Sequence, residues 1–276
     1  MPAVFSFDAF SPAQVAERIE TLGVAKARLP LLSMGLLAVL AGAYIGFVSL
    51  LFLLVTADST LSFTPSRLLG GLVFSMGLLT VVVAGAELFT GNHLLALAWA
   101  DGRLSTAEVL RNWGVVCVGN ALGAGLLALA VVGAGLGELN GGALARRAVA
   151  LAQAKADLAW DVAFVRGVLC NVLVCLAVWM AAAGRSVTDK AVAVVPPVAA
   201  FVALGLEHSV ANFFFFPLAA WLDAGGVAAG TGAPGFVAAA SNLLPVIAGN
   251  LVGGSVLVAG VYAVVYRRGL FSRPPP

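Results

Sequence analysis

The chain has 276 residues, of which 61% are hydrophobic and only 10% are charged, and its mean hydropathy is +1.04. A soluble domain carries about 25% charged residues, so this composition excludes an ordinary soluble protein and predicts an integral membrane protein. The net charge of +2, without a clustered basic patch, gives no indication of nucleic-acid binding. The three cysteines lie in apolar runs without neighbouring metal ligands, so we expect no disulfide framework, metal or other cofactor.

Residues 1–29 are predicted to form an N-terminal amphipathic segment that does not cross the membrane. Ser11 and Gln14 form a capping box with Pro12 at the first helical position, and Val15, Ile19 and Leu22 share one helix face. Phenylalanines precede this helix at positions 5, 7 and 10. Two placements remain open: the helix lies in the membrane interface, or it packs against the protein's own cytoplasmic face. The first thirty residues lack a basic region followed by an apolar region, so we expect no cleavable signal.

Six apolar runs follow, and each is long enough to cross a bilayer, which requires about 20 apolar residues. They cover residues 30–55, 68–97, 113–136, 162–183, 191–221 and 243–266. An even number of spans places both termini on one side, and that side holds ten of the 15 Lys and Arg residues. Because basic residues are retained in cytoplasmic loops, we expect both termini to be cytoplasmic. The expected organisation is a segment 1–29, a six-span domain 30–268 in the inner membrane and a cytoplasmic tail 269–276.

A polar motif, G-x-E-x-x-x-x-N, occurs twice inside these apolar runs. It reads GAELFTGN at 85–92 and GLEHSVAN at 205–212, an offset of 120 residues. A second pair of polar positions accompanies the motif, with Asn112 and Asn120 returning as Asn242 and Asn250. Polar groups are costly in hydrocarbon, so the duplication indicates two halves that use these groups together.

The second and fifth runs contain the motif. Both are about 30 residues long, which is more than a straight helix needs to cross the bilayer. A helix interrupted in mid-membrane explains the excess length and the glycine at the head of each motif. The alternative is one long tilted helix with a polar face. Because three spans per repeat is an odd number, the halves enter the membrane from opposite sides. The sequence therefore predicts an all-α membrane protein with six transmembrane helices in a 3+3 inverted repeat, aquaporin-like, with the second and fifth helices broken.

The strongest candidate for chemistry is His208, an ionisable residue in the middle of a span, with Thr90 as the hydroxyl in the first motif copy. Histidine changes charge near physiological pH, although an isolated buried histidine is more often a structural hydrogen-bonding residue. Glu87, Asn92, Glu207 and Asn212 are predicted to be structural, because buried carboxylates need several donors. Lys155 precedes the fourth span, where it either reaches toward water or attracts an anion. His93 is placed near the cytoplasmic surface without a role.

Four segments carry a family resemblance: GAELFTGN, NWGVVCVGNALGA, FVRGVLCNVLVCLAVWMA and GLEHSVANFFFFP. Together they resemble the formate/nitrite transporter family over about residues 30–268. The resemblance implies a homopentamer in the lipid bilayer, each protomer having its own six-span pore. It also implies that His208 is the central pore histidine, bonded to Thr90 and Asn171, and that Lys155 attracts the anion. Two apolar constrictions on either side of the histidine are implied at Phe74, Leu78, Leu88 and Phe201.

The resemblance predicts channel-like transport of small monovalent anions, formate first, with proton linkage through His208. The segment from GRSVTDK to FFFFP is closest to the formate channels, whereas ELFTGN also resembles the nitrite and hydrosulfide branches, which remain as alternatives. A neutral-solute pore of the aquaporin type requires Asn-Pro-Ala, and no Pro follows the repeated asparagines. An ammonia channel requires two adjacent pore histidines, and only one is predicted in this chain. A membrane enzyme is the alternative of another class, and no metal-ligand cluster or Ser-His-acid set supports it.

Overall fold

The structure is a computed structural model, and it describes residues 9–57, 60–228 and 232–266. Phe5, Phe7 and the predicted tail 269–276 lie outside the described residues. All regular elements in this part of the chain are helical. In the first half they are α1 (Pro12–Ala27), α2 (Leu31–Thr56), α3 (Phe63–Ala84), a 3-10 turn (Gly91–Leu94), α4 (Leu95–Ala100) and α5 (Thr106–Gly133). In the second half they are a 3-10 turn (Leu136–Glu138), α6 (Leu139–Ala156), α7 (Trp160–Ala183), α8 (Val187–Ala203), α9 (Ser209–Ala224), α10 (Phe236–Leu251), a π-helical segment (Val252–Gly260) and α11 (Val261–Tyr266).

Five helical segments are long and apolar enough to cross a membrane, and α9 is a shorter apolar helix. The five are Leu31–Thr56, Phe63–Ala84, Thr106–Gly133, Trp160–Ala183 and Phe236–Tyr266. Large apolar side chains are exposed along these helices, as expected for surfaces that face lipid or another membrane helix. The prediction of an all-helical membrane protein is confirmed.

The N-terminal helix α1 begins at its capping box. Ser11 N donates to Gln14 Oε1 at 2.9 Å, and Gln14 N donates to Ser11 Oγ at 3.5 Å. Val15 and Ile19 are buried against α4, α7 and the π-helical segment. The prediction that Leu22 belongs to this buried face is wrong, because Leu22 is 48% exposed. The buried face continues through Gly23 instead.

Each copy of the repeated motif coincides with an interruption of helix. Helix α3 ends at Ala84, and Gly85 adopts a left-handed conformation with φ of 78°. Helix α8 ends at Ala203, and Gly205 adopts φ of 71° before α9 begins. Glycine accepts this conformation without a Cβ penalty, so it ends each helix. In both segments the helix therefore does not continue through the motif.

Helix α6 is an element that the hydropathy pattern did not predict, since the apolar runs leave residues 137–161 between two spans. It buries Leu144, Ala148 and Ala152 and packs on α9. It ends in Ala-Lys-Ala around Lys155, and α1 ends in the same tripeptide around Lys26. Helices α1 and α6 therefore occupy corresponding places at the start of the two halves.

Close helix packing in each half depends on glycine. A Cβ at Gly42 or Gly123 would collide with backbone atoms across the α2 and α5 contact. A Cβ at Gly249 or Gly253 would collide with backbone atoms of α7 in the same way. Small residues allow membrane helices to approach closely, and these two contacts hold the asparagines of α5 and α10 against the interrupted segments.

Candidate functional site

A network of four polar residues surrounds the first interruption. Lys26 Nζ donates to Glu87 Oε1 at 2.6 Å. Asn92 Nδ2 donates to Glu87 Oε2 at 2.6 Å and to Asn112 Oδ1 at 3.0 Å. Asn112 Nδ2 donates to the carbonyl oxygen of Lys26 at 3.3 Å. The buried carboxylate thus has a cation on one oxygen and an amide on the other.

The second interruption has the same network with corresponding residues. Lys155 Nζ donates to Glu207 Oε1 at 2.8 Å. Asn212 Nδ2 donates to Glu207 Oε2 and to Asn242 Oδ1, both at 2.8 Å. Asn242 Nδ2 donates to the carbonyl oxygen of Lys155 at 2.8 Å. Because a buried charge is tolerated only when it is paired and hydrogen-bonded, each network stabilises one non-helical segment.

Two further asparagines bind the freed backbone directly. Asn120 Oδ1 accepts from Phe89 N at 2.8 Å, and its Nδ2 donates to the carbonyl oxygen of Glu87 at 2.9 Å. Asn250 Oδ1 accepts from Ser209 N at 3.0 Å, and its Nδ2 donates to the carbonyl oxygen of Glu207 at 2.9 Å. Backbone groups at membrane depth require such partners. The side-chain amides replace the hydrogen bonds that the interruptions remove.

Lys26 belongs to the first network, and it is not among the functional residues predicted from the sequence. The signal that identifies it is the Ala-Lys-Ala tripeptide, which occurs at 25–27 and again at 154–156. Its offset of 129 differs from the offset of 120 between the motifs because the connections differ in length. The two tripeptides are therefore not aligned at the offset of the motifs.

His208 and Thr90 lie between the two networks and contact each other. Thr90 Oγ1 is 2.9 Å from His208 Nε2, and Ala211 N donates to His208 Nδ1 at 3.2 Å. A backbone N–H can only donate, so Nδ1 is the acceptor and the neutral ring carries its hydrogen on Nε2. His208 then donates to Thr90, and the hydroxyl hydrogen of Thr90 remains available for another acceptor. Both residues are buried.

The predicted bond between Asn171 and His208 is absent from the described contacts, because Asn171 binds His93 instead. Asn171 Nδ2 lies 2.6 Å from the carbonyl oxygen of Asn250 and 2.6 Å from His93 Nδ1. The carbonyl oxygen can only accept, so this contact fixes the orientation of the amide, and its second N–H donates to His93. The Oδ1 atom of Asn171 is buried without a hydrogen-bond partner among the described residues.

The placement of His93 near the surface is therefore wrong. Its side chain is fully buried, and its ring packs edge-on against Phe89 at 4.5 Å and against Trp113 at 5.4 Å between centroids. Hydropathy places it at the end of an apolar run. Contacts with Trp113 of α5 and Asn171 of α7, which hydropathy does not report, hold it in the interior.

The four apolar residues predicted to form constrictions line two different cavities. The Phe201 ring is nearly parallel to the His208 ring, with 5.8 Å between centroids and an interplanar angle of 18°. Phe74 meets Phe201 edge-on at 5.8 Å. Leu78 and Leu88 are buried and contribute to a cavity that neither phenylalanine lines. The apolar residues thus form two groups, one toward each of two cavities.

We name these cavities after the helix that contributes a lysine to each. The α1 vestibule has a volume of about 400 Å³, and its lining includes Arg18, Lys26, Leu78, Glu87, Leu88 and Lys190. The α6 vestibule has a volume of about 260 Å³, and its lining includes Arg67, Phe74, Arg147, Lys155, Arg166, Phe201, Glu207 and His208. Leu88 and His208 occupy equivalent positions of the two motif copies, and each contributes to one cavity.

The described part of the chain contains no group of three or more His, Cys, Asp or Glu side chains that could hold a metal ion. Cys117, Cys170 and Cys175 are free. The polar groups of the interior are instead amides, hydroxyls, two imidazoles and two lysine–glutamate pairs, and several of these can donate hydrogen bonds to a small anion.

Sequence comparison identifies relatives over almost the full chain. A family model described as formate/nitrite transporter matches residues 13–264. The chain is 36% identical over 286 residues to the formate channel FocA of Escherichia coli (strain K12), which covers 97% of this chain and 98% of that protein. It is 39% identical over 274 residues to a probable formate transporter of Methanothermobacter thermautotrophicus, which covers 93% of this chain and 97% of that protein.

Comparison with solved structures gives the same assignment. A pentameric formate channel with formate bound matches with a TM-score of 0.79 and 39% identity, covering 86% of this chain and 97% of that chain. An FNT family ion channel matches with a TM-score of 0.81 and 29% identity, covering 91% of this chain and 98% of that chain. The relatives are channels and transporters rather than enzymes. The chain belongs to the formate/nitrite transporter family.

Proposed function

We propose that the protein is a channel-like transporter for small monovalent anions, with formate as its first substrate. The observation that carries this proposal is the Thr90–His208 pair, buried between two apolar groups and two basic cavities. Its geometry leaves the Thr90 hydroxyl hydrogen as a donor for a carboxylate oxygen. Formate is favoured over nitrite and hydrosulfide because the named relatives include formate channels of this family.

The architecture that supports this function is a six-span 3+3 inverted repeat. In this arrangement α3 with α4 forms the second span and α8 with α9 forms the fifth, each broken at its motif. The matching Lys–Glu–Asn–Asn networks support this pairing of the halves. Both termini then lie in the cytoplasm, the α1 vestibule opens to the cytoplasm and the α6 vestibule opens to the outside of the inner membrane. A homopentamer is the proposed assembly, in line with the pentameric relative.

Anion entry is proposed to begin with the lysine of each vestibule. Lys155 and Lys26 raise the local anion concentration, although each also neutralises a glutamate. Phe74 and Phe201 on one side, and Leu78 and Leu88 on the other, form the apolar constrictions where an unpaired charge is costly. Formate is the conjugate base of a weak acid, so taking up one proton removes this cost.

The central pair is proposed to act at the point between the constrictions. His208 Nε2–H donates to Thr90, and Thr90 donates to a formate oxygen, so the substrate finds a hydrogen-bond donor where water is excluded. His208 also links transport to protons, either by supplying a proton or through this hydrogen-bond chain. Asn171 is kept as a pore residue through its free Oδ1, which can accept from protonated substrate.

The test is formate flux into proteoliposomes as a function of pH. We expect His208→Phe to abolish the flux or to remove its pH dependence, because phenylalanine keeps the ring and loses both nitrogen atoms. Leu126→Phe is the control, since it adds a ring at a position that is 61% exposed. An unchanged flux and pH profile in His208→Phe would overturn the role of His208. Faster flux of nitrite or hydrosulfide than of formate in the unmodified protein would overturn the substrate.

A further inference from the structure

The α6 vestibule contains more positive charge than a monovalent anion neutralises. Its described lining includes four cationic side chains and one carboxylate, a net of three positive charges. The carboxylate of Glu207 is already bound to Lys155. One formate would leave two charges uncompensated in a cavity of about 260 Å³.

Two of the arginines are held rigidly at the wall of this cavity. Arg67 Nε donates to the carbonyl oxygen of Ala203 at 2.9 Å, and its Nη2 donates to that of Val202 at 3.1 Å. Arg147 Nε donates to Thr56 Oγ1 at 3.0 Å. These bonds hold each guanidinium in place, and a guanidinium carries five N–H donors in a planar fork that matches an oxyanion.

The cationic groups are partly buried and repel one another. Arg67, Arg147, Lys155 and Arg166 are all partly buried. Burial lowers the pKa of Arg147 below its ordinary value, and the neighbouring Arg67 guanidinium lowers this pKa further. Because partial burial reduces solvent screening, an anion between these groups gains more than it would at an exposed surface.

The α1 vestibule differs in this respect. It has three cationic side chains, Arg18, Lys26 and Lys190, with one carboxylate, and Arg18 is exposed to solvent. It is also the larger cavity, about 400 Å³ against about 260 Å³. Charge is therefore concentrated in the α6 vestibule and dispersed in the α1 vestibule.

We propose that the α6 vestibule is a binding site for a small divalent oxyanion, such as sulfate or hydrogen phosphate, which competes with the transported anion for entry. Two negative charges and several acceptor oxygens match the guanidinium groups of Arg67, Arg147 and Arg166. One proton cannot remove both charges, so the divalent anion does not pass the apolar constriction at Phe74 and Phe201. It occupies the vestibule and blocks it. The blocking part of this inference rests on the proposed transport function, whereas binding does not.

Binding is tested on the purified full-length protein in detergent by calorimetric titration with sodium sulfate at constant ionic strength. We expect Arg147→Gln/Arg166→Gln to weaken sulfate binding by about tenfold or more, because two guanidinium groups that bind the anion through charge-assisted hydrogen bonds are lost. Arg146→Gln is the matched control. It removes the same charge from the adjacent position of α6, where Arg146 is exposed and bonds to the carbonyl oxygen of Gly141.

Two further controls test whether the variants fold and whether the bound oxyanion is the phosphate group of a lipid. Arg147→Lys keeps the charge without the fork, and we expect it to fold and to bind sulfate with intermediate affinity. Sulfate binding that emerges only after the protein is stripped of phospholipid would assign the site to a lipid phosphate group and overturn the proposal. Absent sulfate binding, or equal binding in the double variant and in Arg146→Gln, would also overturn it.

Flux separates this inference from the proposed function. In proteoliposomes we expect external sulfate to raise the KM for formate without changing the maximal rate, whereas chloride at equal ionic strength has a smaller effect. If the protein transports formate but sulfate neither competes with formate nor binds to the protein, the inference is overturned and the transport function stays intact. Sulfate binding that depends on Arg147 and Arg166 in a protein without formate flux would support the site and overturn the transport function.

Discussion

The two halves of the molecule are nearly identical at their polar networks and different at their centres. Each half places a lysine, a glutamate and two asparagines in the same hydrogen-bonding pattern around an interrupted helix. At the same offset of 120 residues, Leu88 corresponds to His208. Thr90 corresponds to Val210, and His93 corresponds to Phe213. The comparison separates shared groups, which stabilise non-helical backbone, from the residues proposed to meet the substrate, which differ between the halves.

The networks also differ in the exposure of their lysines. The Lys26 side chain is 33% exposed, whereas the Lys155 side chain is 11% exposed, and both partner glutamates are 3% exposed. The same ion pair therefore lies in a drier environment in the second half. A lysine in a drier environment depends more on its glutamate, because its charge is further from water when it is unpaired.

The largest expected effect tests this difference by neutralising each glutamate in turn. We expect Glu207→Gln to lower the free energy of unfolding by about 3–5 kcal/mol, because it leaves Lys155 unpaired in a mostly buried position. Glu87→Gln is the matched variant and should cost less, because water reaches Lys26. Thermal unfolding in detergent measures both. Equal losses, or a larger loss in Glu87→Gln, would contradict the comparison.

An intermediate effect is expected when Thr90 is replaced by valine, the residue that the second half has at this position. Thr90→Val keeps the shape and removes the hydroxyl donor, so we expect formate flux to fall by about tenfold to a hundredfold, the equivalent of one hydrogen bond to a charged group. The reciprocal variant Val210→Thr is the control and should change flux little. If both variants transport formate at the normal rate, the asymmetry at this position is unrelated to transport.

The smallest effect is expected at His93. His93→Phe introduces the residue of the second half and removes the acceptor for Asn171, which we expect to cost about 1 kcal/mol of stability, the typical contribution of one hydrogen bond. Without His93 the Asn171 amide is held only by the carbonyl oxygen of Asn250, and we expect its looser position to change the preference for formate over larger carboxylates. His93→Asn retains an acceptor near the position of Nδ1 and should restore the original preference. Flux assays with competing carboxylates measure this preference. Identical preferences in the unmodified protein and in both variants would show that His93 only fills space.

Local patterns in the sequence were sufficient for the class of protein and for the positions of the interruptions. Composition identifies a membrane protein, and the glycine that heads each motif copy coincides with a helix end, at Gly85 and Gly205. His208 and Thr90 follow from the motifs and from the family resemblance, and the structure places them 2.9 Å apart. These features depend on spacing along the chain or on the cost of a polar group in hydrocarbon, and both can be read without knowing contacts.

Other features depend on contacts between distant parts of the chain, and only the tertiary structure decided them. The Lys26–Glu87 pair joins residues 61 positions apart, and the Asn171–His93 bond joins residues 78 positions apart. The hydropathy of α6 is low because it carries Arg146, Arg147 and Lys155, so its correspondence to α1 emerges only from the folded arrangement. The cationic side chains of the α6 vestibule likewise come from three helices, α3, α6 and α7. A sequence specifies which polar groups enter the membrane, but the choice among several available partners is made by packing, because each donor binds the acceptor that the fold brings within reach.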